Sequence, residues 1–72
     1  MNNVKLRNEN RLFGYLIEES NNTIQEEAAR GIAKSVVNSL DFNDNYVAHK
    51  SMRQRAKDIL PSVKSEYFVK AY

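Results

Sequence analysis

Residues 23–40 read Thr23-Ile24-Gln25-Glu26-Glu27-Ala28-Ala29-Arg30-Gly31-Ile32-Ala33-Lys34-Ser35-Val36-Val37-Asn38-Ser39-Leu40, and how they are read decides the fold. Thr23 and Glu26 have the spacing of a reciprocal capping box, in which each side chain accepts from the other residue's amide and starts a helix. Glu26 and Glu27 then fall in the first turn, where the helix dipole favours negative charge. Ile24, Ala28, Ile32, Val36 and Leu40 recur every fourth residue, with Ala29, Ala33 and Val37 beside them. At about 100° per residue these make an apolar arc wider than half the helix circumference. So broad a stripe predicts a central helix over 23–40, covered on two sides by the rest of the chain.

A different reading of the same stretch has to be weighed. Gly31 followed by Ile32 to Leu40 resembles, in outline, the turn and second helix of a helix-turn-helix. That assignment would require Glu26, Glu27 and Arg30 to be buried or replaced by small residues, and burying an unpaired charge costs several kcal/mol. One uninterrupted helix avoids the conflict. Gly31 in its middle then costs about 1 kcal/mol against alanine, and the expectation is that it lets a neighbouring element approach closely.

Working outward, Leu12, Phe13, Leu16 and Ile17 form an apolar patch at helical spacing. Leu6 falls on the same side, but so does Glu9, so the first helix is expected over about 8–20, ended by Ser20-Asn21-Asn22. The clusters Asn21-Asn22 and Asn43-Asp44-Asn45 mark the breaks, because short polar side chains compete for nearby backbone groups. Asp44 is the expected N-cap of a third helix over about 45–60, with Ala48, Met52, Ala56, Ile59 and Leu60 inward. Pro61 stops it. Ser62 opens a short fourth helix over 62–71, with Val63, Tyr67, Phe68, Ala71 and Tyr72 on one side. The expected fold is all-α: a compact single-domain bundle of three main helices plus a short C-terminal one.

Composition narrows the functions. A chain of 72 residues buries a limited share of its surface and is marginal alone. It has no cysteine, which excludes disulfides and thiolate metal sites and favours the cytoplasm. The first residues carry no apolar run, so neither a signal peptide nor a membrane anchor is expected. Asn21-Asn22-Thr23 fits the glycosylation pattern and is read as chance. The single His49 has no partner at metal-ligand spacing and is read as a boundary residue of the third helix. No serine sits in a nucleophile elbow, and no glycine-rich phosphate loop occurs. Adjacent pairs such as Glu18-Glu19 point in different directions on a helix. An enzyme is not expected, and no cofactor or metal is called for.

What remains is binding. The net charge is +2, but residues 46–72 alone carry plus four. Within them His49-Lys50-Ser51-Met52-Arg53-Gln54-Arg55-Ala56-Lys57-Asp58 is basic, and Lys50, Arg53 and Lys57 share one flank of the helix. The expected function is that of a small regulatory or inhibitory protein that docks on another protein, with an origin in a phage or mobile element as a guess from genome economy. Its expected partner-binding residues are Lys50, Arg53 and Lys57 as electrostatic guides and Tyr67 and Tyr72 as aromatic anchors. The alternative is a DNA-binding regulator whose basic helix meets a duplex through Lys50, Arg53, Gln54, Arg55 and Lys57. A homo-oligomeric structural piece, a homodimer among its forms, whose apolar central helix is partly an interface, is a third reading.

Overall fold

The structure is a computed structural model and describes residues 4–39 and 49–69. The fold is all-α: α1 spans Val4–Glu19, α2 spans Glu26–Ser39 and α3 spans His49–Ile59. Two 3₁₀ turns come after α3, Leu60–Ser62 and Ser65–Tyr67. Leu40, Asp44 and its neighbouring asparagines, Ala48, Ala71 and Tyr72 lie outside the described residues.

α1 begins at Val4, four residues before the expected start. Its buried line is Asn8, Leu12 and Leu16, stepping by four. The line sets Leu6 in water, 55% exposed, rather than on the inner side, and leaves Glu9 half-buried. Asn8, fully buried, was not expected inside.

α1 ends in a Schellman motif. The amide of Asn22 donates to Ile17 O at 2.9 Å and that of Asn21 to Glu18 O at 3.0 Å. Asn21 and Asn22 have φ of 57° and 64°, the left-handed region that asparagine tolerates better than most residues. The Ser20 hydroxyl donates to Ile17 O at 3.0 Å and accepts from the amide of Ile24 at 3.2 Å, which ties the turn to the extended backbone at Ile24.

The capping box does not form. The Thr23 hydroxyl donates backward to Ser20 O, and α2 opens at Glu26, with Gln25 O accepting the first helical bond from Ala29 at 2.9 Å. A tertiary pairing displaces the local cap: Ile24 forms an antiparallel bridge with Phe68.

From Glu26 to Ser39, α2 is continuous through Gly31. Its fully buried line is Ala29, Ala33 and Val37, one position round from the expected stripe, while Ala28, Ile32 and Val36 are half-buried. Alanines on the inner line let two helix axes approach.

The hub of the fold is α1, which packs against both α2 and α3, whereas α2 and α3 make no packing of that extent among the described residues. The expectation of α2 as the central helix is therefore corrected. Leu12 and Leu16 supply the large fully buried side chains from the middle, Val37 comes from α2, and Met52 and Ala56 come from α3.

The short C-terminal helix expected over 62–71 is reduced, in its described part, to the 3₁₀ turn Ser65–Tyr67. Pro61 ends the third helix as anticipated, but Val63 and Lys64 are extended, and after the second 3₁₀ turn so is Phe68 (φ −103°, ψ 147°). Ten residues make a marginal helix by themselves. The tail finds backbone partners in the α1–α2 turn instead. Gln25 donates its amide to Tyr67 O at 2.9 Å, and Val69 donates its own to Thr23 O. The Gln25 side chain adds a bond from Nε2 to Glu66 O at 3.3 Å.

Nothing lies within 4 Å of where a Cβ would stand on Gly14 or Gly31. The expected close approach at Gly31 is not made within the described residues. Both glycines are helical, exposed and without a contact that needs glycine. Gly14→Ala is accordingly expected to raise stability by about 0.5–1 kcal/mol, chiefly by restricting the unfolded chain. Thermal melts followed by circular dichroism should show a midpoint a few degrees higher; a lower one would reveal a contact the fold conceals.

Candidate functional site

The basic helix and the tail are the two regions singled out by sequence. In α3 the outward stripe is interrupted at its centre. Arg53 turns toward α1, where its Nη1 donates to the Glu18 carboxylate and to Glu19 Oε2 at 2.6 Å. Its guanidinium carbon also sits 4.5 Å from the centroid of the Tyr15 ring. The Glu18 carboxylate first, and Glu19 second, hold the Arg53 pKa above its already high ordinary value. Arg53 is thus a clip between α3 and α1. Glu18 and Glu19, adjacent on α1, are gathered by one guanidinium despite their different directions.

Gln54 donates from Nε2 to Asp58 Oδ1 at 3.1 Å along α3. Lys57 and Asp58 are exposed side by side, and Arg55 is half-buried. Lys50 belongs to the first turn of α3, and His49 is the helix's first residue. A shallow depression of about 470 Å³ on this side is lined by Ser51, Gln54, Arg55 and Asp58, a set of mixed charge. The helix does not present an unbroken row of cations.

The tail is different. The Ile24–Phe68 bridge, with a backbone bond on each side, fixes its path across the α1–α2 turn. Phe68 points inward and packs on the core. Its neighbours do not: Tyr67 is 41% and Val69 56% exposed. Each borders its own groove. Val69 joins Ile17 and Ile24 in a depression of about 510 Å³ whose rim carries Glu26 and Glu27. Tyr67 faces Ala28, Gly31 and Ile32 across a smaller one of about 260 Å³.

Of the expected anchors, Tyr67 is exposed and Tyr72 lies outside the described residues. Val69, Ile17 and Ile24 were missed. A signal for Val69 existed, since Tyr67 and Val69 flank Phe68 at the two-residue alternation of an extended segment. Helical periodicity placed Tyr67 and Phe68 together instead.

Among the described residues, no group of three or more His, Cys, Asp or Glu side chains could hold a metal ion. No helix among them is long and apolar enough to cross a membrane. Comparison with protein-family models, with curated proteins and with solved structures finds no match.

Proposed function

We propose that the protein is a small non-enzymatic regulatory or inhibitory protein of the cytoplasm that acts by docking on another protein. The observation that carries this reading is the clamped tail, which holds Val69 in water at the edge of an apolar groove. A segment fixed before binding loses little freedom when it docks, so more of the contact energy becomes affinity. The groove fits a partner that offers an apolar side chain with basic residues nearby: Ile17, Ile24 and Val69 receive the first, Glu26 and Glu27 the second. Lys57, exposed on α3, can influence encounter rate.

The DNA-binding alternative has less in its favour. Arg53, the middle cation of its row, is engaged by two carboxylates, and Gln54 is bonded to Asp58. The acidic rim beside Val69 would repel a phosphate backbone.

The test is retention of protein on the tagged chain after a high-salt wash, compared across two exposed substitutions. Val69→Asp is expected to weaken retention by about thirtyfold, the effect of losing a hot-spot contact. Lys57→Glu is expected to leave it intact at high salt. Binding to unrelated duplex that falls steeply with salt and ignores Val69→Asp would overturn the reading in favour of DNA.

A further inference from the structure

α2 carries its charge in two blocks, Glu26 and Glu27 in the first turn and Arg30 and Lys34 beyond. On a wheel of about 100° per residue, Ala28, Gly31, Ile32 and Ser35 form a strip turned roughly 100–160° away from the Ala29, Ala33 and Val37 line. Ala28 and Ile32 lean partly on the core and Tyr67 borders them, but α3 packs on α1 rather than here, and Gly31 and Ser35 are exposed.

We infer that the strip is covered by a second copy of this chain, with α2 against α2 in antiparallel orientation about a two-fold axis near Gly31. Charge complementarity selects this occupant. Glu27 and Lys34 are exposed, share one flank, and stand four residues before and three after Gly31. Antiparallel pairing sets each Glu27 across from Lys34 of the second copy, and the symmetry makes the match twice. The glycine fits the same arrangement. Nothing described in the chain approaches its missing Cβ, whereas a helix crossing there gains the space. The groove between Gly31, Ala28, Ile32 and the Tyr67 ring opens on the same face and receives apolar side chains from the copy.

Size sets the strength. A helix of 14 residues is about 21 Å long, so the paired surface falls below the roughly 800 Å² per partner of a stable complex. The dimer is therefore weak and reversible. This goes beyond the docking proposal: Glu27 borders both surfaces, but Ile17, Ile24 and Val69 line the docking groove and take no part in the pair.

Sedimentation over a wide concentration range tests it, with circular dichroism confirming that each variant remains helical. The wild type should shift from monomer to dimer. Glu27→Lys and Lys34→Glu should each weaken the dimer by about tenfold, because each sets like charges across the axis, while the double swap should restore it. Gly31→Ala should weaken association, whereas Gly14→Ala leaves it unchanged. A wild type that stays monomeric throughout, or a double swap as weak as the single variants, overturns the inference. Val69→Asp should dimerise like the wild type, so a failed dimer and a failed docking surface give different results.

Discussion

Replacing Leu12 by alanine is expected to remove about 3 kcal/mol of stability, more than half of the total for a chain of this size. Leu12 is fully buried in the middle of the helix that packs against both others. Truncating a buried leucine loses its transfer free energy and leaves a cavity that only partly collapses, about 2–5 kcal/mol together. A chain of 72 residues has a total stability on the order of 5 kcal/mol, so the loss is most of what there is. Urea unfolding would measure it, with Leu6→Ala as the control. Leu6 is on the same helix but 55% exposed, and its loss should fall within about 0.5 kcal/mol. Equal effects at the two positions would mean that α1 is not the hub.

The second large effect is expected at Phe68, and it is local rather than global. Phe68 is half-buried against the core and is the tail's half of the bridge to Ile24. Its replacement by alanine should cost about 2 kcal/mol, less than for a fully buried phenylalanine because part of the ring already meets water. The backbone bonds from Gln25 to Tyr67 and from Val69 to Thr23 depend on the tail staying seated through that ring. Hydrogen exchange should therefore show the Gln25 and Val69 amides losing protection in Phe68→Ala, while amides inside α1 and α2 keep theirs. Protection retained at Gln25 and Val69 would mean that the tail is held by something other than this ring. The same variant should lose the docking activity proposed for Val69, since the side chain would remain but its fixed position would not.

Much of the architecture was legible in the residues because it depends on local rules. The 3.6-residue apolar spacing marked α1, α2 and α3. Ser20-Asn21-Asn22 marked the end of α1, since two successive residues with positive φ are tolerated by asparagine. Pro61 marked the end of the third helix. The candidate site was less legible. Arg53, Lys57 and Tyr67 were visible as chemistry, but nothing in their spacing says that Glu18, Glu19 and Tyr15 are folded against Arg53 from more than 30 residues away.

The sequence alone thus determined that the chain is helical, where two of its helices stop, and which residue types lie near the core. Only the tertiary structure decided which helix stands at the centre, whether Thr23 caps a helix or pairs with the tail, and which side of Tyr67-Phe68-Val69 faces water. The reason is physical. Helix formation and termination are governed by neighbours within about four residues, which a sequence displays directly. The competition between a local cap and a distant backbone partner, or between two apolar stripes for one core, is settled by differences of about 1 kcal/mol between contacts that exist only once the chain has closed on itself.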